Sequence, residues 1–158
     1  MSTLMDDLGA GWAVATESTT VLAMGSSPSL MTTSLKSPTA RKLMENLDAE
    51  LMGLYPDHPY PPPFGDDEAA GVGSVLIAYS DRRAVGCGAV RRLDQATAEL
   101  LRMYVLPNAR GKGIGKLLLA SLEAEAADMG AARVVLEAGD RQDDAIGLYE
   151  SSGYARIE

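Results

Sequence analysis

The stretch Arg110-Gly111-Lys112-Gly113-Ile114-Gly115-Lys116 carries the strongest signal in this sequence of 158 residues. It follows Pro107, which ends a run with strand periodicity, and it precedes an apolar pattern with helical spacing. Glycines let a backbone approach a ligand closely, and the N–H groups and positive dipole at a helix start favour phosphate. The stretch therefore predicts an anion-binding loop between a strand and a helix.

Two well-known phosphate-binding loops do not fit this stretch. The nucleoside triphosphate loop G-x-x-x-x-G-K-[ST] requires glycine where Arg110 stands, and serine or threonine where Leu117 stands. The dinucleotide fingerprint G-x-G-x-x-G requires two residues before its last glycine, whereas one residue separates Gly113 from Gly115. Both loops are therefore excluded.

The sequence around the loop predicts a sheet covered by helices. Alternating periodicity predicts three sequential strands at 74–79, 84–91 and 98–106, which form an antiparallel meander. Helical spacing predicts helices at 38–54, 113–129 and 143–152, with further strands at 133–137 and 154–157. The strand–helix–strand run from 98 to 137 should form a right-handed parallel crossover. The predicted fold class is α/β (α+β), with a mixed, mostly antiparallel sheet and helices on both faces.

The first 30 residues differ in composition from the rest, because they are rich in Ser, Thr, Gly and Met. Strand-like composition at 11–24 predicts a hairpin, a disordered leader being the alternative, and residues 25–29 resemble a linker. The domain is therefore expected to span 31–158. Within it, the Pro-rich segment 55–65 is expected to be a surface loop, since prolines lack the N–H that a helix or central strand needs.

The charge balance limits the partners of the chain. It has 14 Lys and Arg against 22 Asp and Glu, a formal net charge of −8. Nucleic acid and anionic membrane both require clustered positive charge, so we expect neither as a partner. The negative charge favours cationic amines as substrates.

Cysteine usage and hydropathy point to the cytoplasm. Cys87 is the only cysteine, so neither an intrachain disulfide nor a zinc cluster is expected. The first 35 residues contain no Lys or Arg, and no apolar run reaches membrane-spanning length. We therefore expect no secretory signal and no transmembrane helix.

Three motifs in chain order resemble the GNAT superfamily of N-acetyltransferases. Arg110-x-x-Gly113-x-Gly115 is similar to the signature [QR]-x-x-G-x-[GA], which binds the pyrophosphate of acetyl-coenzyme A in that family. Residues 99–107 look like the strand before the signature, and residues 145–154 resemble the segment A-x-x-L-Y-x-x-x-G-[FY]. The resemblance covers residues 37–157.

The resemblance implies an activity and a co-substrate. A member of the family would transfer an acetyl group from acetyl-coenzyme A, without a metal, to a primary amine of a small molecule or protein by direct attack in a ternary complex. A non-catalytic acyl-coenzyme A sensor or interaction module is the alternative, since fold and cofactor site survive loss of chemistry.

The resemblance also implies how the cofactor is held. Backbone N–H groups of the loop would hold the pyrophosphate, and Lys112 or Lys116 would meet the outer phosphates. The pantetheine arm would dock like an added strand beside the end of the third meander strand, with the Val105 N–H facing the thioester carbonyl. The implied cofactor-binding residues are Met103, Val105, Arg110, Gly111, Lys112, Gly113, Ile114, Gly115, Lys116 and Gln142.

The same comparison implies catalytic and acceptor residues. Tyr149 occupies the position of the general acid, and Glu99 corresponds to the carboxylate that some members use as a base, directly or through water. The loop after the first helix shapes the acceptor pocket in the family, so Tyr55, His58 and Tyr60 are candidate acceptor contacts. Cys87 lies in a predicted buried strand and is expected to be a small core residue rather than a nucleophile.

The sequence departs from the family pattern after the last motif. Family members continue through a further strand, whereas this sequence ends at Glu158. The C-terminal strand region is therefore expected to be truncated. Because an uncovered sheet edge invites pairing, residues 11–24 are predicted to fill the gap, from the same chain or a second subunit. A homodimer remains open.

Overall fold

The computed structural model describes residues 2–7, 27–57 and 71–157 of the chain. The predicted hairpin at 11–24, His58 and Tyr60 lie outside these residues. Among the described residues there are seven strands and three α-helices, which follow the order β1 (Ser2–Asp7), β2 (Ser29–Thr33), α1 (Pro38–Leu54), β3 (Val72–Ser80), β4 (Arg83–Arg92), β5 (Thr97–Val105), α2 (Ile114–Asp128), β6 (Arg133–Ala138), α3 (Asp143–Ser151) and β7 (Ala155–Ile157).

Helix α1 forms where the local signals predict it. The Ser37 side chain accepts a hydrogen bond from the Ala40 N–H at 3.3 Å, and Pro38 occupies the first turn, where no backbone donor is needed. The helix ends when the Tyr55 N–H bonds to the Leu51 carbonyl. Its apolar face is buried against β4 and β5 through Ala40, Leu43, Met44, Leu47 and Leu51.

The mixed, mostly antiparallel sheet confirms the predicted fold class. Strands β2 to β5 pair antiparallel in chain order, and β5 pairs parallel with β6 after the crossover through α2. Helix α1 packs on one face of the sheet, whereas α2 and α3 pack on the other. The strand β2, however, begins at Ser29, inside the segment that the sequence predicts to be a leader.

The gap expected beside β7 is filled by a different segment from the predicted one. The sheet order is β2-β3-β4-β5-β6-β1-β7, and β1 pairs antiparallel with both β6 and β7. Thr3, for example, lies opposite Glu137 on one side and Ile157 on the other. Residues 2–7 thus join the final strand to the sheet.

Strands β5 and β6 separate at the centre of the sheet. Their pairing ends at Leu100 opposite Leu136, so the last five residues of β5 continue without β6 as a neighbour. The register between β4 and β5 also shifts near Cys87, and Arg102 has a φ of 57°. A bulge of this kind redirects side chains and bends the strand. The separation leaves backbone groups of β5 facing an open cleft.

Candidate active site

The cleft between β5 and β6 opens into a cavity of about 880 Å³. Its walls are the C-terminal half of α1, the end of β5, the loop before α2 with the first turn of that helix, and one side of α3 along its whole length. The structure brings most of the predicted cofactor residues to this one cavity, namely Met103, Val105, Arg110, Gly111, Gly113, Gly115, Lys116 and Gln142, together with Tyr149.

Two predicted cofactor residues are placed differently. The Lys112 side chain is exposed, and Lys112 is not among the residues that line this cavity. The Ile114 side chain is buried in the core beneath the loop, with 3% of its surface exposed. Ile114 can therefore contribute only its backbone N–H to the anion-binding loop.

The loop before α2 presents free backbone donors. Gly111 and Gly113 have φ values of 77° and 81°, a left-handed conformation that favours glycine. Helix α2 begins without a side-chain cap, and within the described part of the chain no N–H of residues 111–116 donates a hydrogen bond. The first N–H groups of a helix require an acceptor, and an anion supplies one. The loop therefore has the structure of an anion cradle.

Tyr149 extends from α3 to the same cavity. Its side chain is buried, and its hydroxyl donates to the Met103 sulfur at 3.8 Å. Burial raises the pKa of Tyr149 to about 12, which keeps the phenol protonated. A thioether is a weak acceptor, so the proton is available to a stronger acceptor in the cavity.

Glu99 faces a second, smaller cavity of about 120 Å³. Its carboxylate accepts a hydrogen bond from the Arg91 Nε at 2.5 Å across the β4–β5 pair, in an ion pair whose side chains are largely buried. The two cavities share the lining residues Leu47, Met103, Gln142 and Tyr149. Glu99 and Tyr149 therefore both line the smaller cavity.

Gln142 lies where α3 begins. Its Oε1 accepts a hydrogen bond from the Gly139 N–H at 2.6 Å, which fixes the β6–α3 loop. Gln142 also lines both cavities.

Tyr55 joins the end of α1 to the β6–α3 loop. Its hydroxyl accepts a hydrogen bond from the Arg141 N–H at 2.8 Å, and the Arg141 guanidinium stacks on its ring at 5.3 Å. Arg141 also donates to the Leu54 carbonyl at 2.7 Å. Of the three predicted acceptor contacts, Tyr55 alone lies in the described residues, and its hydroxyl is engaged in this loop contact.

Sequence reasoning missed Glu50, Tyr104 and Arg141, which all line the larger cavity. Helical spacing offers a signal for Glu50, since it lies one turn from both Leu47 and Leu54 on the same face. Arg141 carries no such signal because it sits in a loop.

Cys87 lies in the core as predicted. It is fully buried, it donates a hydrogen bond to the Arg102 carbonyl at 3.4 Å, and burial raises its pKa to about 12. These properties are those of a structural cysteine rather than a nucleophile.

Among residues 27–57 and 71–157, no group of three His, Cys, Asp or Glu side chains is placed to hold a metal ion. No helix in this part of the chain has the length and apolarity needed to cross a membrane.

The sequence matches the acetyltransferase (GNAT) family over residues 40–154. The IAA acetyltransferase of Azospirillum brasilense is 40% identical over 81 residues, which are 51% of this chain and 53% of that relative. An uncharacterised N-acetyltransferase of Schizosaccharomyces pombe is 31% identical over 116 residues, covering 72% of this chain and 65% of the relative. The chain thus spans about half the length of the first of these relatives and about two thirds of the second.

Solved structures share the fold. A chain from Klebsiella pneumoniae described as an acyl-CoA N-acyltransferase has a TM-score of 0.67 and 31% identity, covering 81% of this chain and 83% of that one. A GNAT family acetyltransferase from Elizabethkingia anophelis, with acetyl-CoA bound, has a TM-score of 0.63 and 18% identity, covering 83% and 78%.

Proposed function

Because the chain belongs to the GNAT family of acetyltransferases, we propose that it transfers an acetyl group from acetyl-coenzyme A to a primary amine within a ternary complex. The observation that carries this proposal is the cradle of free N–H groups at residues 111–116, which opens into the cavity reached by the buried Tyr149 hydroxyl. One end of the cavity suits a pyrophosphate and the other supplies a proton donor.

The residues that would hold acetyl-coenzyme A lie along this cavity. The loop N–H groups would bind the pyrophosphate, and the exposed Lys116 would meet a phosphate from the cavity wall. The pantetheine arm would run beside the unpaired end of β5, past Met103 and Gln142. The acetyl-CoA bound to the Elizabethkingia protein supports the choice of co-substrate.

The transfer needs a base, an oxyanion donor and an acid. Glu99 would take a proton from the acceptor ammonium, directly or through water, so that the nitrogen lone pair can attack the thioester carbon. The nitrogen would lose its second proton to solvent as the intermediate collapses. The Val105 N–H would stabilise the oxyanion that forms. When the carbon–sulfur bond breaks, Tyr149 would donate its proton to the leaving sulfur and regain one from solvent. The products are an N-acetylated amine and free coenzyme A.

The acceptor is proposed to be a cationic amine of a small molecule or protein. The net charge of −8 attracts cations, and the smaller cavity carries the carboxylates of Glu99 and Glu137. A cytoplasmic location without nucleic-acid or membrane partners is part of the same proposal. The proposal does not include a homodimer.

A panel of amines assayed for free thiol release tests the activity. We expect thiol release with at least one cationic amine, dependent on both acetyl-coenzyme A and the amine. Binding of coenzyme A without turnover across the panel would contradict the enzyme and favour the non-catalytic acyl-coenzyme A sensor.

The role of Glu99 is tested by the pH profile of Glu99→Gln, with Glu137→Gln as a control that removes a carboxylate from the same cavity. We expect the rise of activity with pH to disappear only in Glu99→Gln, because that variant lacks the proton acceptor. An unchanged profile would exclude Glu99 as the base.

A further inference from the structure

The Arg110 side chain is directed toward β5 and α1. Its Nε donates to the Val105 carbonyl at 2.9 Å, and its Nη2 donates to both carboxylate oxygens of Glu50 at 2.9 and 2.8 Å. The guanidinium also lies over the Tyr104 ring, 5.7 Å from its centroid. The charge of Arg110 is thus already met by a carboxylate from a helix 60 residues earlier in the sequence.

The Glu50–Arg110 pair connects three parts of the cofactor cavity. Glu50 belongs to α1, Val105 ends β5, and Arg110 begins the anion-binding loop. Val105 lies in the section of β5 that has no β6 neighbour, so a side-chain contact adds a constraint that the sheet does not supply there. The pair therefore fixes the loop relative to the end of β5.

Helix α1 is a firm support for Glu50. Leu47 and Leu51 are buried on either side of it in sequence, and Asp48 forms a buried ion pair with Arg102 of β5. Glu50 itself keeps about a third of its side chain exposed at the cavity wall. Tyr104 packs beside it, where burial and then the Glu50 charge raise the pKa of the phenol.

We infer that Glu50 is a positioning residue for acetyl-coenzyme A, because it holds Arg110 as a brace between the anion-binding loop and the Val105 end of β5. The inference rests on the proposed function. Arg110 acts through the loop, and the phosphates are met by backbone N–H groups and Lys116. The distance between the pyrophosphate and the thioester site is then set in part by a carboxylate.

The brace and simple electrostatics predict opposite effects on cofactor binding when the Glu50 carboxylate is removed. Removing a carboxylate beside an anionic ligand should strengthen binding if charge alone decides, and it would also free Arg110 for the phosphates. Loss of the brace should weaken binding instead, because the loop and β5 are no longer held at the spacing that the cofactor needs.

Calorimetry of coenzyme A binding to the full chain distinguishes the electrostatic prediction from the brace prediction. We expect Glu50→Gln to raise the Kd about tenfold, a loss equal to one Glu50–Arg110 contact. The Kd should remain unchanged in Glu45→Gln, which removes an exposed carboxylate from the same helix. Steady-state kinetics should show the KM rising for acetyl-coenzyme A and not for the amine.

Arg110→Lys keeps the test decisive if Glu50→Gln does not fold. Arg110→Lys retains the charge but loses the paired contacts, so we expect about the same loss as for Glu50→Gln. The double variant should lose no more than either single variant, since both remove one unit.

Failure of the proposed function and failure of the brace alone give different results. A wild-type chain that does not bind coenzyme A overturns the proposed function and the brace together. A wild-type chain that binds, with Glu50→Gln binding as tightly or more tightly or with Arg110→Lys binding like wild type, overturns the brace alone.

Discussion

Tyr149 is a buried phenol that keeps its proton at neutral and moderately alkaline pH. Burial raises the pKa of Tyr149 to about 12, which makes it a weaker acid than an exposed phenol, so it would release the proton only as negative charge develops on an acceptor in the cavity. The Met103 sulfur holds the hydroxyl in place without competing strongly for that proton. Donation to the leaving sulfur is the role that we propose for this hydroxyl.

We expect Tyr149→Phe to lower kcat by a factor of ~10²–10⁴, because the leaving sulfur loses its proton donor. Coenzyme A should still bind with the wild-type Kd, since the ring remains in place. Thiol-release kinetics and calorimetry measure the two quantities, and Tyr79→Phe on β3 is the matched control. A fall in kcat below threefold, with the fold intact, would exclude Tyr149 as the acid.

The sequence motifs indicated which residues to consider, but not how they pair. The loop glycines and Tyr149 could be named because their motifs are local. The contacts of Glu50 with Arg110 and of Tyr55 with Arg141 join residues 60 and 86 positions apart. Such pairs depend on how α1 is rotated against the sheet, which a one-dimensional pattern does not contain.

At the level of elements, local signals predicted the helices and the meander well. Helix α1 spans Pro38–Leu54 as predicted because a capping serine, a proline and an apolar face all act within the segment. Strands β1 and β2 were missed because their short sequences lack such signals. Each forms only by pairing with a strand distant in the sequence.

The contact between α1 and the β6–α3 loop depends on one glycine. A Cβ at Gly139 would overlap the Tyr55 hydroxyl, so only glycine permits the approach of the two elements. Gly139→Ala should therefore displace Tyr55, lower the unfolding free energy by about 1–3 kcal/mol and raise the KM for acetyl-coenzyme A. Urea unfolding and steady-state kinetics measure these effects.

Gly147→Ala is the matched control for this substitution. Gly147 lies inside α3, and a Cβ there meets nothing within 4 Å. Alanine should stabilise the helix by about 0.5–1 kcal/mol through the smaller entropy of the unfolded chain. A Gly139→Ala variant as stable and active as Gly147→Ala would contradict the role of the contact.

For the whole molecule, two buried groups link stability to alkaline pH. Burial raises the pKa of Cys87 from 9.0 and that of Tyr149 from 10.0, each to about 12. The folded state therefore keeps both protons where the unfolded chain releases them. The stability from these groups is fully present below about pH 9 and is lost as pH rises toward 12.

Urea unfolding at several alkaline pH values should show this loss. We expect the unfolding free energy to fall with pH above about 9, with a slope of at most about 1.4 kcal/mol per pH unit for each group. Cys87→Ala should reduce the slope between about pH 9 and 10, where the cysteine alone contributes. If the unfolding free energy fell equally steeply with pH in the wild type and in Cys87→Ala, a protonated, buried Cys87 would be contradicted.

The placement of β1 decides how the sheet is completed, and a disulfide can test it. Thr3 and Glu137 lie opposite each other in antiparallel strands. Opposed Cα atoms are about 4.5–5.5 Å apart, within the range of a disulfide. In Thr3→Cys/Glu137→Cys we expect an intrachain disulfide that runs as a monomer on a non-reducing gel, because β1 pairs with β6 of its own chain. Buried Cys87 does not compete for oxidation.

The control is Thr3→Cys/Arg133→Cys, in which the second cysteine lies four residues further along β6, opposite Asp7. That offset is about 13 Å along the strand, beyond the reach of a disulfide, so no bond should form. A disulfide-linked dimer from the first pair would instead mean that β1 comes from a second copy, so that two chains complete each other's sheets. Absence of any disulfide would remove β1 from this position and leave β7 without the strand that joins it to β6.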